Sequence, residues 1–146
     1  PLQKTTPFPI LRMAVKRQAQ PEYWSYQLDG GWQALAGKTA YDNDLLSLDF
    51  ARPDEFWFHV HGQPGSHVIL RGPDDANLHQ PDRELLEQAA AIAAWHSKAR
   101  NSSRCAVDCT RARNVSKPKG APPGTVVISH SRLLKVKPAL PEPPTA

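Results

Sequence analysis

Alternating apolar and polar residues predict strands along much of the chain. Segments 23–28 and 32–36 alternate on either side of Asp29-Gly30-Gly31, a turn sequence that predicts a β-hairpin. Segments 55–60 and 67–71 are short and apolar, and a turn rich in glycine and proline separates them. The remaining predicted strands lie at 105–110, 125–129 and 133–136.

Helical spacing is found in two places. Between Asp82 and Arg100, apolar residues recur three and four positions apart, and many are alanines, whose small side chains let a helix approach a sheet closely. A shorter segment with several leucines, 42–50, predicts a second helix that ends before Pro53. The predicted fold class is therefore α+β, a mainly antiparallel β-sheet with one long alanine-rich helix packed on it and a short helix between strands.

Length and composition predict one folded domain. The 146 residues suit a single hydrophobic core at 21–138, between a flexible N-terminal segment at 1–20 and a proline-rich tail at 139–146. No apolar run approaches the roughly 18 residues of a membrane-spanning helix. The basic, proline-interrupted start is unlike a signal peptide, and two cysteines are too few for a secreted disulfide framework. We therefore predict a cytoplasmic location, reduced thiols and no membrane contact.

Charges are separated along the chain. The formal net charge is +4, but residues 21–87 hold 12 acidic and four basic side chains. Residues 98–137 hold ten basic side chains and one acidic side chain, Asp108. A basic half favours polyanions such as nucleic acid, and the acidic half offers a surface on which a basic protein partner could dock.

Three histidines surround the central turn. His59 and His61 are two residues apart on a predicted strand, so both side chains point to one face. His67 follows the turn and folds back toward them. With Asp54 as a further acid, this set is compatible with a metal site or general acid–base chemistry, but the simpler explanation is that two of the three histidines are hydrogen-bonded sheet or surface residues.

Two loops carry groups that bind phosphate. A tight turn at Pro64-Gly65-Ser66-His67 would expose backbone N–H groups and a hydroxyl, with Arg71 adding positive charge nearby. The segment 111–124 is basic, and its prolines restrict the backbone, which lowers the entropy lost on gripping a ligand. Each loop is also compatible with a plain surface turn.

An ordered series of short motifs resembles the NFACT-R domain. The series is Gly37-Lys38, Asn43-Asp44, 54–60, 64–69, 87–97, Val107-Asp108 with Thr110, Lys117-Pro118-Lys119-Gly120 and Gly124. The chain departs from the usual pattern at Thr39-Ala40, at Asp42-Asn43 and at Cys109. The resemblance covers about 23–138 and implies an excised or stand-alone copy of the RNA-binding C-terminal part of the RqcH/NEMF proteins, formerly called fibronectin-binding proteins. Those proteins act in ribosome-associated quality control, where they bind tRNA and the obstructed large ribosomal subunit.

The sequence thus predicts an RNA-binding module that contacts tRNA, large-subunit ribosomal RNA or both. We expect no catalytic residue, metal or cofactor, and the alternatives are a small RNA-processing or metal-dependent enzyme built on the three histidines and a protein-interaction adaptor. The predicted RNA-binding residues are His59, Gly65, Ser66, His67, Arg71, Arg111, Arg113, Lys117 and Lys119.

Overall fold

The computed structural model describes residues 20–74 and 80–142 and shows an α+β domain built on a six-stranded antiparallel sheet. The strand order across the sheet is β1-β2-β4-β3-β5-β8, and β6 and β7 form a separate two-stranded sheet. The strands are β1 (Tyr23–Gln27), β2 (Gln33–Gly37), β3 (Phe56–Val60), β4 (Val68–Arg71), β5 (Cys105–Arg111), β6 (Val115–Ser116), β7 (Val127–Ile128) and β8 (Arg132–Val136). The helices are α1 (Ala40–Leu45), which continues as a π-helical turn (Leu46–Phe50), and α2 (Arg83–Trp95). The predicted fold class is confirmed.

The predicted hairpin is also confirmed. β1 and β2 pair antiparallel from Tyr23 opposite Gly37 to Gln27 opposite Gln33. Asp29-Gly30-Gly31 forms the connecting 3-10 turn, in which Gly30 and Gly31 both have positive φ angles. Glycine adopts these angles without steric cost, which explains why this turn closes the hairpin.

The main sheet separates two hydrophobic cores. α2 covers one face, where its buried Leu85, Ala89 and Ile92 share a core with Phe58 and Val107. Seven residues of α2 are buried, four of them alanines, as expected for a helix packed closely on a sheet.

The opposite face is covered by the π-helical turn and the small sheet. Leu46 is fully buried there with Trp57, Ile69 and Val115. A capping box starts α1, since the Thr39 side chain accepts from the backbone N–H of Asp42 while the Asp42 carboxylate accepts from the backbone N–H of Thr39. The short predicted helix at 42–50 is therefore confirmed, with its start moved two residues earlier.

The long helix is shorter than predicted. α2 begins after Asp82, whose side chain caps the N–H of Leu85, but it ends at Trp95 instead of Arg100. The chain beyond Trp95 pairs with the central turn: the N–H of Ser66 donates to the carbonyl of His96, and Ser97 lies opposite Gly65 in an isolated bridge. A Cβ at Gly65 would lie 2.6 Å from the Cβ of Ser97, so this close approach requires glycine. Tertiary pairing thus overrides the helical pattern of the last five residues.

The predicted strand at 125–129 is reduced to two residues and lies outside the main sheet, where β7 pairs with β6. Cys105 and Cys109 are free thiols. Within residues 20–74 and 80–142, no helix combines the length and apolar character needed to cross a membrane. Most of the predicted segment 1–20 and the end of the predicted tail 139–146 lie outside the described residues, so the predicted domain boundaries stay predictions.

Candidate functional site

An open groove of about 670 Å³ lies at one end of the main sheet, where β2 and β3 end and β1 and β4 begin. Segments far apart in sequence meet there. Its lining comes from Trp24, residues 37–40, Asn43, His59, residues 64–66, residues 96–98, Arg100 and residues 123–125.

The groove is cationic. Lys38, Lys98 and Arg100 line it, and all three are exposed. Its lining, as far as the structure describes the chain, includes no Asp or Glu, and the ion pairs of the described residues do not involve these three cations. A concave surface with unneutralised positive charge concentrates anions.

The groove also presents an aromatic pair. The Trp24 ring stacks on the His96 imidazole with centroids 4.4 Å apart and planes inclined by 10°. A 2.6 Å hydrogen bond between the Tyr26 hydroxyl and His96 Nε2 holds the imidazole in place. Burial and, secondarily, the positive charge of Arg100 lower the pKa of His96 to about 4, so the ring is neutral at pH 7. Lys38 Nζ lies 5.6 Å from the centre of the Trp24 ring.

The central turn forms part of this lining, but its polar groups are already bonded within the protein. The backbone N–H of Ser66 donates to the His96 carbonyl over 2.8 Å, and that of His67 donates to Asn43 Oδ1 over 3.0 Å. The Ser66 hydroxyl donates to the Gly37 carbonyl over 2.6 Å. The expectation that these N–H groups and this hydroxyl face a ligand is therefore wrong, because they hold the turn against its neighbours.

His67 is a buried structural residue with 2% of its surface exposed. Its Nδ1 lies 2.8 Å from the Ser47 hydroxyl, which also accepts a hydrogen bond from the Trp57 indole N–H. Burial, followed by the neighbouring His59, lowers the pKa of His67 to about 3. His59 packs edge-on against His67 at 5.2 Å and lines the groove, and burial is the main cause that lowers its pKa as well.

The three histidines do not form one site. His61 is 61% exposed and pairs with Asp108, its Nδ1 lying 3.0 Å from the carboxylate. Asp54 lies just before the start of β3, whereas His61 follows the end of that strand, and the Asp54 carboxylate pairs with Arg113 over 2.5 Å. Among the described residues, no group of three or more His, Cys, Asp and Glu side chains is arranged to hold a metal ion. The alternative constellation of His59, His61, His67 and Asp54 is therefore not assembled.

Arg71 lies away from the turn that it was expected to support. It ends β4 at the opposite end of the sheet, where its guanidinium binds Glu55 through bonds of 2.6 and 2.9 Å and also donates to the Phe50 carbonyl. The expectation that Arg71 adds charge near Gly65 is wrong, because four residues of extended strand carry the chain about 13 Å.

Arg111 and Arg113 also lie at that opposite end. Arg111 donates to the Asp54 carbonyl over 2.7 Å and stacks on Phe56, with its guanidinium carbon 4.0 Å from the ring centre. With Arg132 they line a second depression of about 520 Å³. The basic residues that the sequence placed in one site are thus divided between two ends of the sheet.

Lys117 fastens its loop to α1. Its Nζ lies 3.0 Å from Asp44 Oδ2, and it also donates to the carbonyls of Pro122 and Thr125. The other Asp44 oxygen accepts from the N–H of Gly124 over 3.1 Å, so one carboxylate fixes both parts of the loop. Lys119 is exposed. Asp44 and Asp54 of the acidic half therefore each pair with a cation of the basic half.

This anchoring predicts different effects for the two lysines of the loop. Lys117→Ala is expected to lower the free energy of unfolding by about 1–2 kcal/mol, because it removes bonds to a charged, partly buried carboxylate. Lys119→Ala removes the same charge from an exposed position and is expected to change stability by less than about 0.5 kcal/mol. Urea denaturation followed by circular dichroism measures both, and equal effects of the two variants would contradict the anchoring role of Lys117.

Several groove residues were not among the site residues predicted from sequence, namely Trp24, Lys38, His96, Lys98 and Arg100. Lys38 belongs to the Gly37-Lys38 motif, so the sequence did contain a signal for this one residue. The helical pattern instead assigned His96, Lys98 and Arg100 to the end of α2. The early end of that helix brings them to the groove.

The fold and the groove define a class: small α+β domains with an antiparallel sheet and a cationic, aromatic-lined groove at one end of it. Residues 22–130 match the family described as the NFACT protein RNA binding domain, and the chain belongs to this family. The resemblance found in the sequence is confirmed.

Two similar proteins support the same assignment. The chain is 37% identical over 118 residues to the Rqc2 homolog RqcH of Bacillus subtilis (strain 168), covering 81% of this chain and 20% of that protein. It is 37% identical over 123 residues to the Rqc2 homolog RqcH of Streptococcus suis, covering 84% of this chain and 21% of that protein. The chain therefore spans about a fifth of the length of these relatives.

A solved structure has the same fold. It is the C-terminal part of the fibronectin/fibrinogen-binding protein from Streptococcus suis, which matches with a TM-score of 0.72 and 37% sequence identity over 82% of this chain and 46% of that chain.

Proposed function

We propose that this domain binds RNA in the groove at the end of the main sheet. The observation that carries the proposal is the set of exposed cations Lys38, Lys98 and Arg100 on a concave surface whose described lining includes no acid. Phosphate contacts by Lys and Arg supply most of the affinity in non-specific nucleic-acid binding. The family assignment makes RNA the favoured polyanion.

The biological setting we propose is ribosome-associated quality control in the cytoplasm, with tRNA and large-subunit ribosomal RNA as ligands. Membership of the RNA-binding family and the similarity to the Rqc2 homologs RqcH support this setting. The resemblance noted in the sequence supports these ligands.

The proposed contacts revise the set predicted from sequence. His59 and Gly65 stay in the proposal as residues that line the groove, whereas Ser66 lines it but acts through the bonds that hold the turn in place. We assign His67, Arg71 and Lys117 to supporting the fold, because each is bonded to other groups of the protein. Arg111, Arg113 and Lys119 lie outside the groove lining and would contact only an RNA that extends beyond it.

A charge-reversal experiment tests the proposal. Lys38→Glu/Lys98→Glu is expected to weaken binding of total tRNA at least 10-fold in fluorescence anisotropy and to reduce the slope of log K against log salt by about 2. The matched control is Lys135→Glu/Lys137→Glu, which makes the same charge change on exposed residues at the opposite edge of the sheet, in and just after β8.

Three results would contradict the proposal. Equal losses in the two double variants would mean that the groove has no special role. Equal affinity of the wild type for tRNA and for heparin would mean a generic polyanion surface. Absence of tRNA binding by the wild type would favour the adaptor hypothesis.

A further inference from the structure

We propose that the groove accepts an unpaired nucleotide whose base stacks on Trp24, so that its ligand class is single-stranded RNA or the unpaired part of a folded RNA. This inference rests on the proposed function and adds to it the kind of RNA that is bound. It is carried by the placement of an exposed, preordered aromatic pair beside the three groove cations.

The Trp24 ring is accessible and already ordered. It belongs to the edge strand β1, its backbone is paired with Ala36, and the residue is 39% exposed. His96 covers one face of the indole, and Tyr26 fixes His96 by a hydrogen bond. A base that joins this stack therefore loses little protein side-chain entropy, which favours binding.

The surrounding charges suit the phosphates on either side of such a base. Lys38 Nζ lies 5.6 Å from the Trp24 ring centre, and Lys98 and Arg100 line the same groove. Lys38 is exposed on a flexible four-carbon stem, so its ammonium can move from the ring to a phosphate when a base arrives. The geometry thus combines a stacking surface with a cationic path, the arrangement by which proteins bind single strands.

Base pairing prevents a base from stacking on Trp24. In an RNA duplex the faces of the bases are stacked inside the helix, so Trp24 can contact a base face only where the RNA is unpaired. The indole face accepts any of the four bases, so stacking gives a preference for single strands and little preference for sequence. A folded RNA such as tRNA offers unpaired nucleotides in its loops.

Removing the bases of the RNA while keeping its phosphates tests the stacking directly. Fluorescence anisotropy would compare a single-stranded RNA of mixed sequence, the same strand with abasic sites, and a duplex of equal length. Wild type is expected to bind the intact single strand about 10-fold more tightly than either of the other two, because stacking contributes about 1–3 kcal/mol per base.

Variants of Trp24 complete the test. Trp24→Leu is expected to lose about 10-fold in affinity for the intact strand and less than 2-fold for the abasic strand, while Trp24→Phe keeps most of the affinity. Tyr41→Leu is the control, since Tyr41 is 68% exposed and does not line the groove. It is expected to change neither affinity by more than 2-fold.

Each outcome separates the two proposals. Equal loss of intact and abasic binding in Trp24→Leu, or equal wild-type affinity for single strand and duplex, overturns stacking and leaves RNA binding standing. Absence of binding to all three RNAs by wild type overturns the proposed function itself. If Trp24→Leu fails to fold, the wild-type comparison of intact and abasic strands still decides the question, because it needs no variant.

Discussion

Arg71→Met is expected to lower the free energy of unfolding by about 2–3 kcal/mol, the cost of removing charge-assisted hydrogen bonds from a partly buried carboxylate. The side chains of Arg71 and Glu55 are 18% and 9% exposed, and two hydrogen bonds join them in a bidentate pair. The same guanidinium donates to the Phe50 carbonyl and lies 4.6 Å from the Phe50 ring centre. Without Arg71, the Glu55 carboxylate would keep the backbone N–H of Arg52 as a partner but would face an apolar side chain in place of the guanidinium.

Urea denaturation of two further variants tests whether the lost stability comes from the unpaired Glu55 carboxylate. Arg71→Met/Glu55→Leu is expected to recover most of the lost stability, because no unpaired charge remains. Arg83→Met removes the exposed ion pair with Glu87 and is expected to cost less than about 0.5 kcal/mol. A cost below about 1 kcal/mol for Arg71→Met alone would contradict the supporting role of this pair. Folded Arg71→Met should keep the RNA affinity of wild type, since Arg71 lies at the sheet end opposite the groove.

Local patterns were sufficient to predict the elements of the fold. Alternation and the Asp29-Gly30-Gly31 turn predicted β1 and β2, and the apolar segments beside the central turn predicted β3 and β4. These signals are local because strand periodicity and turn chemistry depend on neighbouring residues. The order of the strands could not be predicted in this way. β4 lies between β2 and β3, and this position depends on contacts between distant segments that a single sequence does not reveal.

The site was harder to predict because strands separate neighbours in sequence. Arg71 is four residues after His67, yet it lies at the other end of the sheet. Trp24 and His96 are 72 positions apart in sequence and stack in the groove. Grouping residues by sequence proximity therefore placed Arg71 in the site and left Trp24 out of it.

The roles of the basic residues depended on partners that the sequence could not identify. Lys117 looks like a phosphate ligand because of its basic, proline-rich loop, but its partner Asp44 lies 73 positions earlier in the chain. Lys98 looks like a helix-terminal charge until the chain beyond Trp95 pairs with the central turn. Ion pairs formed within the protein thus decide which cations keep an unneutralised charge.

Acidification from pH 7 to pH 4.5 is expected to lower the free energy of unfolding by about 3–4 kcal/mol through the buried His67 and the half-buried His96. The folded-state pKa values of His67 and His96 are about 3 and about 4, whereas a histidine in the unfolded chain titrates near 6.5. Above pH 6.5 both states are neutral and the histidines add no pH dependence. Below pH 6.5 these histidines are protonated in the unfolded state but stay neutral in the folded state. The free energy of unfolding therefore falls as the pH falls toward the folded-state pKa values.

His67 carries most of this effect because it is the more deeply buried of the two histidines. Its expected contribution is about 1.4 kcal/mol for each pH unit below 6.5, and the half-buried His96 adds a smaller amount. His67→Gln removes the titrating ring. Between pH 6 and pH 4.5, the free energy of unfolding of this variant should therefore change less steeply with pH, by about 1.4 kcal/mol per pH unit, which corresponds to one proton. Urea denaturation at several pH values gives both slopes, and their difference cancels the carboxylates common to the two proteins. Identical slopes would mean that the folded protein protonates His67 as readily as the unfolded chain does, which the burial of its ring and the neighbouring His59 oppose.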